Sequence, residues 1–142
     1  MVGFYNPLNK TYYLTGRPRG GGEGDFETWV FDHGEKKWSL LETQTPPMTG
    51  GAGAYDPYHN VRYLTGQLRN QETTFWTFDL AAPGWTQHSI EAPSALHAHT
   101  SNNADFDPEH NALIVFGGWS WAVHAFRYKE VPEGTEAVYG GR

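Results

Sequence analysis

Cysteine is missing from all 142 residues, which excludes disulfides and thiolate chemistry and leaves the redox compartment open. No apolar run approaches the length of about 18 residues that suggests a membrane-spanning helix. Met1–Lys10 has neither the basic start nor the hydrophobic stretch of a secretory leader, so neither a transmembrane span nor a signal peptide is expected. Basic residues are few: ten Lys and Arg against 16 Asp and Glu give a net charge of −6. Because those ten are scattered, nucleic acid and anionic membrane are not expected partners. No window carries an apolar period of about 3.6 residues, so helix should be nearly absent. The motifs G-x-S-x-G, H-E-x-x-H, the P-loop and the dinucleotide fingerprint do not occur, and the histidines have no identifiable nucleophile beside them.

What the chain has instead is glycine, proline, aromatics and a repeat. Seventeen Gly, nine Pro, six Trp, eight Tyr and eight Phe fit a turn-rich β protein, and the length fits one domain. Tyr55-Asp56-Pro57-Tyr58-His59-Asn60 leads into Val61–Gly66. Similar stretches run from Tyr5-Asn6-Pro7 to Gly16 and from Phe106-Asp107-Pro108 to Gly117, so that the three glycines are spaced by 50 and 51 residues. A period near 50 marks a stack or ring of like units, none able to bury its faces alone. Thr28-Trp29-Val30-Phe31-Asp32 matches Phe75-Trp76-Thr77-Phe78-Asp79 at an offset of 47, and Trp38 matches Trp85 at the same offset. The difference falls in the glycine-rich stretch Arg17–Asp25, which reads as a surface loop. In the third unit Ala125-Phe126-Arg127-Tyr128 takes the equivalent place, but Glu133 stands where the second Trp is expected.

Each unit reads as four short strands. The first ends at an Asx-Pro turn, where proline sets φ and the Asx oxygen caps the bend. The second is the β-branched and aromatic run of the Val61–Gly66 type, the third is of the Thr74–Asp79 type, and the fourth surrounds Trp85. The expected units are residues 1–48, 49–98 and 99–142. For the last, Val131–Arg142 is read either as a loose tail or as a fourth strand built on Ala137-Val138-Tyr139.

These residues resemble the kelch repeat, in which a hydrophobic strand ends in Gly-Gly and an aromatic residue precedes a Trp by seven positions. Phe31 to Trp38 and Phe78 to Trp85 carry that spacing, and Gly117-Gly118 is the full glycine pair. The resemblance covers about residues 3–128. It implies an all-β fold of three four-stranded antiparallel blades arranged radially, a partial β-propeller that is half of a six-bladed ring or part of a larger propeller. Through galactose oxidase, which belongs to the same superfamily, it also favours an extracellular or periplasmic setting. The copper-radical chemistry of that enzyme needs a cysteine cross-linked to tyrosine, and no cysteine is present here. No cofactor is expected.

Propellers need about four to eight blades to close. An open arc of three would expose two aromatic faces of a kind that monomers rarely tolerate. Two copies closing a ring, a place in a longer propeller, or head-to-tail stacking into a filament would each cover them. A homo-oligomer closing a six-bladed ring is the preferred expectation, with a protein or glycan as ligand.

Recognition is expected where the three units disagree, in the second-to-third and inter-blade loops. That face holds Arg17 and Arg19, Gln67, Arg69 and Asn70, His97 and His99, and Trp119 and Trp121. Arg17-Pro18-Arg19 reads as a carboxylate or sulfate clamp or as a solvated loop. Trp119 and Trp121 read as sugar-stacking platforms or as blade-edge cover. His97 and His99, with Glu91 or Asp105, are weak candidates for a divalent metal, since no third ligand sits at a diagnostic spacing. His59 and His110 share a turn position and read as turn residues. His124 stands in register with Trp29 and Trp76, as a packing substitution or a polar group facing the channel. The four recurrent Trp (29, 38, 76 and 85) read as packing. A carbohydrate-active enzyme remains the alternative, for which Glu23 and Asp25 are the only local carboxylate pair worth testing. A purely structural self-assembling subunit is the third reading.

Overall fold

The computed structural model describes residues 2–6, 9–17, 26–43, 51–67, 73–90, 103–116 and 123–138, with the backbone alone at 51, 66, 67 and 73. Every regular element among them is a β-strand. In the first sheet β1 (Val2–Asn6), β2 (Thr11–Gly16), β3 (Glu27–Asp32) and β4 (Lys37–Leu41) pair antiparallel in chain order. In the second sheet the first position is shared by β5 (Gly51–Ala52) and β6 (Tyr55–Asp56). Both pair with β7 (Val61–Gln67), which is followed by β8 (Thr73–Asp79) and β9 (Gly84–His88). The third sheet has β10 (Asn103–Asp107), β11 (Ala112–Phe116) and β12 (Val123–Phe126).

Local chemistry sets the turns. The Oδ1 atom of Asp56 accepts the backbone N–H of Tyr58 at 2.8 Å and of His59 at 3.1 Å. Asp107 does the same for Glu109 and His110, Asp32 for Gly34 and Glu35, and Asp79 for Ala81 and Ala82. Each Asx side chain thereby replaces the hydrogen bonds the bend removes from the ladder. The chain then enters the next strand through a left-handed residue, at Lys10 (φ 56°), Asn60 (φ 52°) and Asn111 (φ 49°). Asn tolerates that region better than Lys. The second sheet's first strand is split at Gly53-Ala54, where regular pairing is interrupted although the Ala54 carbonyl still accepts the Tyr63 N–H at 2.8 Å. A Cβ at Gly53 would lie 2.4 Å from the Tyr63 carbonyl oxygen, so only glycine fits that approach.

Alternation along the strands gives each sheet two faces. Phe4 and Tyr13 of the first sheet pack with Leu64, Trp76, Phe78, Leu80 and Trp85 of the second. The opposite face of the second sheet, with Ala54, Val61, Tyr63 and Phe75, packs against Leu113 and Val115 of the third. The middle sheet is therefore covered on both sides, and among the described residues the outer two each keep one face without a covering sheet.

The third sheet departs from the expected four strands. After Phe126 the described chain holds no strand, and residues 127–138 run irregularly along the second sheet's Asx-Pro turn. Val138 N–H donates to the Pro57 carbonyl at 2.7 Å, and the Tyr55 hydroxyl donates to the Val138 carbonyl at 2.7 Å. The Asn111 amide donates to the Lys129 carbonyl at 2.7 Å. The segment is neither a fourth strand nor a loose tail up to Val138, because its backbone bonds are made to the turns.

Candidate functional site

The contact of the first sheet with the second defines how these units recognise one another. Phe4 meets Phe78 and Trp85 with ring centroids 5.2 and 6.0 Å apart, and Tyr13 meets Phe78 at 5.0 Å. The Trp85 indole N–H donates to Thr28 Oγ1 at 2.9 Å, and the Asn6 amide donates to the Leu80 carbonyl at 2.9 Å. The Arg62 guanidinium lies 6.0 Å from the centre of the Phe4 ring and donates to the Gly53 carbonyl at 2.8 Å. Burial brings its pKa down to about 10, against the opposing effect of Asp105.

On the second sheet the residues meeting this contact form the cross-strand row Tyr55, Arg62, Phe78 and Trp85. The corresponding row on the first sheet is Tyr5, Tyr12, Phe31 and Trp38. It points the other way, into the open. Tyr12 is 48% and Trp38 44% exposed, whereas Trp85 is 6% exposed. Of the four recurrent Trp, Trp38 is left half exposed within one copy, because the covering sheet lies on the other side. The Tyr5 and Tyr12 rings lie tilted at 45° with centroids 4.8 Å apart, and Phe31 sits 5.2 Å from Trp38. A cleft of about 660 Å³ lies over this row, bounded by Tyr5, Tyr12 and Phe31 and by Asn9, Lys10 and His33 of two turns. The open face of the third sheet presents Phe116 and Val123, with Asp105 beside them on β10.

One polar cluster is built into the middle of the stack. Asp56 is fully buried, and its carboxylate accepts the Tyr63 hydroxyl, His59 Nδ1–H at 2.6 Å and two backbone N–H groups. Burial first, and then the carboxylate, push the Tyr63 hydroxyl far above the ordinary tyrosine pKa, so it is a permanent donor. His59 Nε2 lies 3.2 Å from the Glu130 carbonyl, and its ring meets Tyr128 edge-on. His59 is a turn residue that clamps the second sheet to the segment following β12. His110 repeats the contact with Asp107 at 2.7 Å on the open side of the third sheet. His124 pairs with Val115 on the face toward the second sheet, as a packing substitution for Trp; its buried Nε2 has no partner among the described residues.

Of the residues expected to form a recognition face, Arg17 follows β2 and is exposed, and Gln67 ends β7 paired with Thr73. Both stand where connections leave their sheets at the end opposite the Asx-Pro turns. Arg19, Arg69, Asn70, His97, His99, Trp119 and Trp121 lie outside the described residues, as do Glu23 and Asp25. Among the described residues no three His, Asp or Glu side chains gather as metal ligands would. The sequence led to the expectation of exposed aromatic end faces, but the residues of the first sheet's row were not singled out in advance. The signal was available in the register of Trp38 with Trp85 and of Tyr5 with Tyr55.

Three antiparallel meanders, successive in the chain and stacked face to face, define an all-β partial β-propeller. No family model and no curated protein sequence matches the chain. Among solved structures it is similar to TolB from Acinetobacter baumannii, with a TM-score of 0.48 and 10% identity over 92% of this chain. The chain spans 33% of the length of that protein.

Proposed function

We propose that this chain is a non-enzymatic binding and assembly module of kelch type. It completes its stack of sheets by self-association and presents the connections after β2, β7 and β11 to a protein or glycan ligand. One observation carries the reading. The row Tyr5, Tyr12, Phe31 and Trp38 repeats, position by position, the row Tyr55, Arg62, Phe78 and Trp85, which a neighbouring sheet covers. An open aromatic sheet face of this kind is an interaction surface by composition, since aromatics dominate interface energetics and large exposed apolar patches mark partner sites.

The test is light scattering behind size exclusion over a hundredfold range of protein concentration. Association that weakens on dilution and is lost in Trp38→Lys supports the reading; a monomer throughout removes it. For the ligand-facing loops, glycan binding that disappears in Trp119→Ala and Trp121→Ala, without turnover, supports recognition there. Turnover lost in a Glu23→Gln, Asp25→Asn double variant would instead favour the carbohydrate-enzyme alternative.

A further inference from the structure

We infer that the occupant of the first sheet's open face is the third sheet of a second copy, docked head to tail as the first sheet docks on the second, with two such junctions closing the pair. This rests on the self-association proposed above and specifies its geometry. The repeat provides the register. Asn6, whose amide reaches the Leu80 carbonyl, corresponds to Asp107 in the third unit, and Leu80 corresponds to His33 in the first. Asp107 of one copy therefore faces His33 of the other at the mouth of the cleft. By the same mapping Ile114 takes the place of Tyr13 and lies over Phe31 of the second copy. Val123 takes the place of Thr28, over Trp38, and Asp105 takes the place of Phe4, beside the Tyr12 hydroxyl.

The two faces suit one another chemically. The receiving face offers Tyr12, Phe31 and Trp38, and the docking face offers Phe116, Ile114 and Val123. At the turn end the docking side carries Asp105, Asp107 and Glu109, with His110 bonded to Asp107, while the receiving side carries Lys10, His33, Lys36 and Lys37 alongside Asp32 and Glu35. Opposite charge at the rim steers and orients such a contact more than it strengthens it. A head-to-tail contact repeats identically in both directions, so it closes only when the rotation across the junctions is complete. Three sheets per copy and two copies give six, within the range that propellers occupy.

Complementation tests this directly. Tyr12→Asp damages the receiving face alone and Phe116→Asp the docking face alone, both at half-exposed positions outside the two buried clusters. Each variant by itself should run as a monomer of 16.0 kDa. An equimolar mixture should recover a species of twice that mass, because it contains one undamaged junction. The register is read separately by mixing His33→Cys protein with Asp107→Cys protein in this cysteine-free background. Mixed disulfides should exceed homodisulfides by about tenfold or more. If the unmodified chain associates while Phe116→Asp still dimerises alone, the face pairs with itself and the head-to-tail junction is wrong. Complementation without mixed disulfides overturns the register. A ladder of species larger than the dimer overturns two-copy closure, and a monomeric unmodified chain removes the self-association reading itself.

Discussion

Asp56 shows what a single residue can fix. A fully buried carboxylate is costly unless its lone pairs are filled, and here two side chains and two backbone amides fill them. Tyr63→Phe removes one donor without changing shape, and should lower stability by about 1–3 kcal/mol in denaturant unfolding. An unchanged midpoint would show that the hydroxyl adds nothing to the cluster. Two histidines should respond to pH with opposite sign. Burial, reinforced by Lys129, holds His88 below its ordinary pKa of 6.5. The folded state therefore binds fewer protons there, and stability is lost as pH falls from 6.5 toward the lower folded value. His110 is raised above 6.5 by its hydrogen bond to Asp107, so its contribution is present below that pH and disappears as pH rises through the raised value. Its ring is exposed and the effect is small. Unfolding midpoints from pH 5 to 8 should show a flatter acid limb for His88→Gln and little change for His110→Gln. An unaltered acid limb in His88→Gln would assign the slope to other groups.

At the scale of the element, the turns are the adjustable parts. Lys10 and Lys36 hold left-handed φ of 56°, which glycine adopts without cost. Lys10→Gly and Lys36→Gly should each change stability by less than about 1 kcal/mol, with relief of backbone strain offsetting the greater freedom of the unfolded chain. Gly53→Ala should do the reverse. Its Cβ would meet a backbone oxygen at 2.4 Å, and neither strand can yield without breaking pairing, so a loss of about 1–3 kcal/mol in thermal unfolding is expected. A neutral Gly53→Ala would mean that the split between β5 and β6 has another cause. The strands themselves were legible in the sequence, because the repeat, the Asx-Pro turns and the aromatic runs agree on the same boundaries. The end of the third unit was not. Losing the Trp at position 133 removed the marker of a fourth strand, but nothing local says that Val138 will bond Pro57, some 80 positions away in the chain.

Burial belongs to the whole molecule, which is why Trp38 and Trp85 read identically in sequence and differ in fate. Their strands have the same length and spacing, and each Trp pairs across from a Phe, Phe31 or Phe78. Trp85 is covered because the first sheet precedes it, with Thr28 accepting its N–H, while Trp38 meets no sheet among the described residues. The candidate recognition residues were legible only as a loop pattern, since variable loops carry no periodicity from which to read a fold. The Trp pair turns this into a quantitative expectation. Trp85→Ala removes a core side chain and should cost about 3–5 kcal/mol at any protein concentration. Trp38→Ala should cost the isolated chain far less, because the ring is nearly half in water. If a second copy covers it, however, the unmodified protein's unfolding temperature should rise with concentration, since association stabilises the folded state by mass action. That rise should vanish in Trp38→Ala and persist, at lower temperatures, in Trp85→Ala. Scanning calorimetry over two decades of concentration separates the two effects. A concentration-independent transition in the unmodified chain, matched by Trp38→Ala, would leave the aromatic row as solvent-facing surface and place recognition elsewhere in the fold.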